Sequence, residues 1–164
     1  MNDPKREPHL EIIADPDQPT IVTRRSVKAP RALVFDAFTK PELIQRWLGP
    51  GALEFVRCEV DLRVGGAWCN VHRAPDGAEF GFRGVFLEID RPAKIVRTNV
   101  FDMMPEHESR ETLELFEEGG RTTIVTTSVH ATMAGRDGHL ADGRMEQGMQ
   151  AGYARLDALL AALL

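Results

Sequence analysis

The chain has 164 residues, 43% of them hydrophobic and 27% charged, and a formal net charge of −5. That length suits one domain able to bury roughly two thirds of its surface, and the acidic balance argues against nucleic acid or an anionic membrane surface as the main partner. No apolar run is long enough to span a bilayer, and "NDPKREPHLE" after Met1 has no signal-peptide core, so a cytoplasmic protein without membrane insertion is expected.

Residues 1–19 hold four of the ten prolines (Pro4, Pro8, Pro16 and Pro19) and read as a partly flexible arm with a short strand at Leu10 to Ala14. Residues 20–164 read as a single domain. It opens with a β-branched, strand-like stretch, Thr20 to Ala29. Two short helices follow. The first starts after Pro30 with "RALVFDAF". The second has a capping-box pattern at Thr39-Lys40-Pro41-Glu42 and ends at Gly49-Pro50. The texture then changes to strands: Ala52 to Val60, Ala67 to Arg73, Glu79 to Ile89, Lys94 to Phe101, Glu111 to Phe116 and Thr122 to His130. Turn signals such as Gly65-Gly66, Asp76-Gly77, Arg91-Pro92 and Gly119-Gly120 separate them, and such short connections favour antiparallel neighbours.

The last twenty residues, "MEQGMQAGYARLDALLAALL", form a long amphipathic helix with Met145, Met149, Leu156, Leu160 and Leu163 in one stripe. A sheet with one apolar face must be covered, and this helix is the obvious cover. Gly148 and Gly152 lie in its interior, where each glycine costs roughly 1 kcal/mol relative to alanine. The pair leaves a flat spot for close strand packing or for a ligand.

The motifs of several chemistries are missing. The five histidines and two cysteines show neither HExxH nor paired CxxC spacing, so no metal and no cofactor are expected. The glycine pairs are hairpin turns without a following helix or lysine, and no GxSxG elbow occurs. Cys58 and Cys69 could meet across a hairpin centred near Arg63 and Val64, although a reducing compartment would keep them as thiols.

Five blocks taken together carry a resemblance: "APRALVFDAFTKPELIQRWLGP", "DLRVGGAWCNVHRAPDG", "FRGVFLEIDRPAKIVRT", "ETLELFEEGGRTTIVTT" and "MEQGMQAGYARLDALLA". From Ile21 to the C-terminus the chain resembles the group related to the C-terminal domain of the heat-shock protein 90 ATPase activators, within the START-like (SRPBCC) superfamily. The resemblance implies an α+β helix-grip fold, a curved antiparallel sheet wrapped around a long C-terminal helix with a cavity between them. It implies that Pro41, Trp47, Gly49, Pro50, Gly65, Gly66, Trp68 and Gly84 determine the fold, and it carries over no catalytic set. Relatives place apolar or aromatic residues where this chain has Asn70, His72, Arg97 and Asn99, an apolar residue where it has Glu114, and often tryptophan in place of Met149.

Alternation and resemblance disagree about direction. Ala67, Cys69 and Val71 form the uniformly apolar set opposite Trp68, Asn70 and His72, so period alone sends the polar set to water. The resemblance turns it inward. Turned inward, Trp68, Asn70, His72, Phe86, Arg97, Asn99, Phe101, Met149 and Tyr153 line the cavity, with Trp47 as core or wall and Met103 near the mouth. The leading expectation is a binding protein for a small hydrophobic or amphipathic molecule carrying a polar or anionic group. One alternative is a cyclase-, dehydratase- or hydrolase-type enzyme using His72 with Arg97 or Glu114. The other is a chaperone-activator-like interaction module, for which no motif speaks. A homodimer through the opposite, apolar sheet face is also expected.

Overall fold

The protein is described by a computed structural model covering residues 9–49, 53–141 and 143–164. The first eight residues of the expected arm, Pro50 and the expected strand start at Ala52 lie outside the described residues. Among the described residues eight strands form one antiparallel sheet: β1 (Glu11–Ala14), β2 (Thr20–Val27), β3 (Glu54–Val60), β4 (Ala67–Arg73), β5 (Glu79–Asp90), β6 (Lys94–Phe101), β7 (Ser109–Glu118) and β8 (Arg121–His130). Their spatial order is β1-β2-β8-β7-β6-β5-β4-β3. Short turns make β3 to β8 a meander, and β8 then pairs with β2 from Thr20↔Val129 to Val27↔Thr122. Helices α1 (Arg31–Thr39) and α2 (Pro41–Trp47) link β2 to β3, strands on opposite sides of the meander. After β8 come α3 (Met133–Leu140) and the long α4 (Arg144–Leu163). This is the helix-grip arrangement expected from the sequence.

Two local differences have physical reasons. The capping box does not form: α1 continues through Thr39, whose hydroxyl donates to the Phe35 carbonyl at 2.8 Å, and Lys40 precedes α2 without a side-chain cap. α3 was not expected, because "MAGRDGHL" carries two glycines and no apolar stripe. It exists through its cap, the Thr132 hydroxyl accepting from Gly135 N at 2.9 Å. The short strand expected at Leu10 to Ala14 forms at Glu11–Ala14. Leu10 joins the core and β1 pairs with β2, Ile12 opposite Thr23.

The core lies between the sheet and α1, α2 and α4. Phe35, Leu115, Ile124, Leu156 and Leu160 are its largest closed side chains. α4 approaches the end of α2 closely. A Cβ at Gly152 would stand 3.3 Å from the Trp47 carbonyl, so the glycine allows helix–helix approach, whereas a Cβ at Gly148 would meet nothing within 4 Å. Arg155 Nε donates to that same Trp47 carbonyl at 3.1 Å, satisfying one of the carbonyls left over at the end of α2. On the other flank Arg25 of β2 grips Asp157 with two parallel bonds of 2.8 and 2.6 Å. Leu156→Ala should lower the unfolding free energy by about 2–5 kcal/mol through the cavity it leaves, read from the urea midpoint.

Candidate functional site: the concave face of the sheet

The residues of β4 settle the direction of alternation. Trp68, Asn70 and His72 are 3%, 6% and 4% exposed, while Ala67, Cys69 and Val71 look outward. Period alone fails here because the outer face is not left apolar. Ion pairs cover it on neighbouring positions, Arg57–Glu59 within β3 and Arg73 of β4 with Glu79 of β5.

Trp68 is placed by a glycine. Gly84 stands directly opposite it on β5, and a Cβ there would lie 2.8 Å from the indole nitrogen and collide with the Thr98 carbonyl. With no side chain at Gly84, the indole reaches across β5 and donates Nε1–H to the Thr98 carbonyl of β6 at 3.1 Å. Arg97 covers the ring, its guanidinium carbon 3.7 Å from the ring centroid, a cation–π contact worth about 0.5–2 kcal/mol in general. The hairpin turn before β4 is fixed to the same region, because Gly65 N donates to the Phe86 carbonyl and Phe86 N to the Gly66 carbonyl.

The acidic partner of Arg97 is Glu111, not Glu114. Arg97 and Glu111 are cross-strand partners on β6 and β7, joined by a 3.0 Å Nε–Oε2 bond. Asn99 Nδ2 donates to the other carboxylate oxygen at 2.7 Å. Glu114 is offset by an odd number of residues, pairs with Lys94 and Val125, and therefore belongs to the outer face. Arg97 and Glu111 keep 29% and 25% of their side chains accessible, although Trp68, Phe86, Ile95 and Leu115 around them are closed.

His72 belongs to a separate, aromatic group. Its ring lies 4.1 Å from Phe55 and 5.9 Å from Phe80, and Phe101 stacks on Phe82 at 4.9 Å. A Cβ at Gly49 would come within 2.9 Å of His72 Cε1, so the end of α2 sits on the imidazole. Burial holds its pKa below the ordinary value. His72, Arg97 and Glu114 are thus not brought together as an acid–base set. Asn70 accepts from the Cys58 thiol at 3.4 Å, and burial pushes that thiol up to about 11. Cys69, one residue out of register with Cys58, is on the other face, and both cysteines are free.

The remaining expected wall residues divide. Phe86, Trp47 and Tyr153 are core; the Trp47 indole donates to the Ala37 carbonyl at 2.8 Å and stacks on Tyr153 at 6.0 Å. Burial pushes the Tyr153 phenol well above its ordinary value. Met149 is partly buried against the core beneath α4. Met103 is 69% exposed and does not join the concave face. A shallow groove of about 450 Å³ runs over the outer face, lined by Arg57, Glu59, Cys69, Arg83 and Val85. Its charges are paired with one another or with neighbours, so the unusual chemistry lies on the inner side. Among the described residues no group of His, Cys, Asp and Glu is arranged to hold a metal ion, and no helix is long and apolar enough to cross a membrane.

Residues 28–161 match the family described as activator of Hsp90 ATPase homolog 1-like protein. The chain belongs to this family. Among solved structures it is similar to a Rhodobacter sphaeroides protein, 25% identical, with 94% of this chain and 99% of that one covered at a TM-score of 0.87. A Nitrosomonas europaea protein is 26% identical over 91% of this chain and 97% of its own, with a TM-score of 0.79. An Aeromonas hydrophila protein, described as AHSA1-like, shares 24% identity over 88% and 93%, with a TM-score of 0.67. No curated protein matches the chain in sequence. Family and fold together mark a ligand-binding or activator-type module.

Glu111 was not among the expected site residues, although its signal was present: Asn99 and Arg97 lie two apart on one strand, where an acid on the facing strand of the same parity can serve both. Gly84→Ala should cost about 1–3 kcal/mol in urea unfolding, because its methyl would have to displace both the Thr98 backbone and the Trp68 indole. The indole should lose its bond to Thr98 at the same time, seen as a red shift of tryptophan emission in the folded state.

Proposed function

We propose that the protein binds a mostly apolar small molecule on the concave face, between the sheet and the N-terminal half of α4. The observation that carries this reading is the accessibility of the Arg97–Glu111 pair in an otherwise closed region. A charged pair on an inner face that still meets solvent is open to a solute as well as to water, and half-buried Phe55, Phe80, Phe82 and Phe101 supply apolar walls along the same face. A few fixed polar groups among aromatic rings is what a small-molecule site requires. Met149 and Gly148 support the same reading from the helix side. The first is a flexible side chain where relatives often carry tryptophan, and the second leaves open space.

Arg97 holds the site rather than the ligand in this reading. Its guanidinium is engaged by Glu111 below and Trp68 alongside, so the polar floor is internally neutralised. An apolar body is then the main source of affinity, and the polar floor sets orientation.

The test uses N-phenyl-1-naphthylamine, a neutral apolar probe that fluoresces on leaving water. Saturable enhancement is expected with the wild type. Met149→Trp should weaken it by about tenfold, equivalent to about 1.4 kcal/mol, whereas Val85→Ser on the outer face should leave it unchanged. Binding that ignores Met149→Trp, or that falls in Val85→Ser, would move the site to the other side of the sheet.

A further inference from the structure

The β8 side of the concave face is covered by α3, and it is covered in an unusual way. Of the eight residues of α3 only Gly135 and Arg136 are buried, so apolar contact contributes little to its docking. Polar contacts do the holding at one point: Arg136 Nη1 donates to the Asp15 and Gln18 carbonyls of the β1–β2 turn, and Nη2 donates to Asp137. Elsewhere the helix rests on imidazoles. His139 of α3 lies on His130 of β8 with ring centroids 4.8 Å apart and planes inclined by 44°. A Cβ at Gly135 would stand 3.3 Å from Nδ1 of His107, in the β6–β7 loop.

His130 is the exceptional member. It is only 6% exposed, and neither of its ring nitrogens has a hydrogen-bond partner among the described residues. An imidazole that makes no use of either nitrogen is anomalous among buried polar groups. It is an inner-face residue, opposite Ser109 of β7, which in turn faces Asn99 of β6. α3 therefore covers one end of the same face that bears Arg97 and Glu111.

The charged and titratable surroundings are unbalanced toward positive. Arg136 and His107 face the pair from α3 and from the β6–β7 loop, and Glu111 is the acid that reaches it from β7. Glu111 already serves Arg97 and Asn99. Glu106 lies 3.6 Å from His107, Asp137 is bound to Arg136, and the first turn of α4 brings Arg144 and Glu146.

We propose that α3 is a proton-released latch on the concave face: protonation of His130 and His139 undocks α3 from β8 and opens that end of the binding face. As neutral rings the two histidines stack without electrostatic cost. As imidazolium ions they place two like charges about 5 Å apart beside Arg136, in a low-dielectric setting where repulsion is strong. Burial, followed for His130 by the neighbouring His139, holds its pKa below the ordinary value near 6.5, and burial does the same for His139. Both groups are therefore depressed in the docked state. The docking they support is complete above about 6.5 and is lost as pH falls below that value toward their folded-state values. Each histidine changes the docked-to-released ratio by up to about tenfold per pH unit in that window, and the two together by up to about a hundredfold.

That α3 thereby gates a ligand rests on the function proposed above, so the experiment has two arms. In the first, without ligand, backbone amide NMR follows Gly135 and Gly138 of α3, with Gly84 as the sheet reference, from about pH 7.5 to pH 5. The α3 amides are expected to leave their docked positions with a midpoint below 6.5 while Gly84 stays, and His139→Phe, which leaves His130 as the one titrating ring of the contact, is expected to move release to lower pH and make it less steep. Immobile α3 amides in the wild type, or release in His139→Phe with the wild-type midpoint, overturns the latch. In the second arm, dissociation of N-phenyl-1-naphthylamine is expected to accelerate by about tenfold at the lower pH in the wild type and by clearly less in His139→Phe. Absence of probe binding at every pH counts against the proposed function, and the amide signals still decide the latch.

Discussion

The concave face is organised by one side chain lying where another has been left out. Trp68 spreads over Gly84, fastens its indole to the Thr98 carbonyl and so ties three strands together across their own ladder bonds. A face of that ring then becomes the seat for Arg97, whose position fixes Glu111, which in turn fixes Asn99. A side chain at Gly84 would disturb every later member of the series. The Gly65-Gly66 turn belongs to it as well, since its two bonds to Phe86 hold β5 at the point where its register with β6 shifts.

The site is consequently rigid at its floor and soft at its boundaries. The Trp68–Arg97–Glu111 assembly rests on closely packed residues whose replacement leaves cavities or buried charge. At the boundary are Met149, half-buried phenylalanines and a helix docked by one arginine and a few imidazole contacts. Binding faces that must admit a molecule draw their moving parts from such weakly held elements.

Much of the fold was legible in the sequence. Turn dipeptides and β-branched runs located the strands, and the long final stripe located α4. The direction of β4 was not legible from periodicity, because hydrophobic alternation assumes that polar residues face water. Asn70 instead meets Cys58, Arg97 and Asn99 meet Glu111, and His72 lies between aromatic rings. The acid was misplaced by three positions and the cysteines' relation by one, for the same reason: side-chain direction alternates with every residue, so any odd error in register exchanges the two faces. α3 escaped notice because its stability comes from Thr132, Arg136 and packed imidazoles, none of which leaves a periodic trace.

The grip of Arg25 on Asp157 joins residues separated by 132 positions. Neither β2 nor α4 has its final partner until nearly the whole domain has been made, and β2 also waits for β8. A growing chain therefore carries its first long strand and the amphipathic α1 and α2 uncovered while the meander is still being synthesised. Contacts of such sequence separation fold slowly and leave apolar surface exposed meanwhile. For this protein the hazard falls during synthesis, before α4 closes over the sheet, and the same late closure sets when the concave face first comes into being.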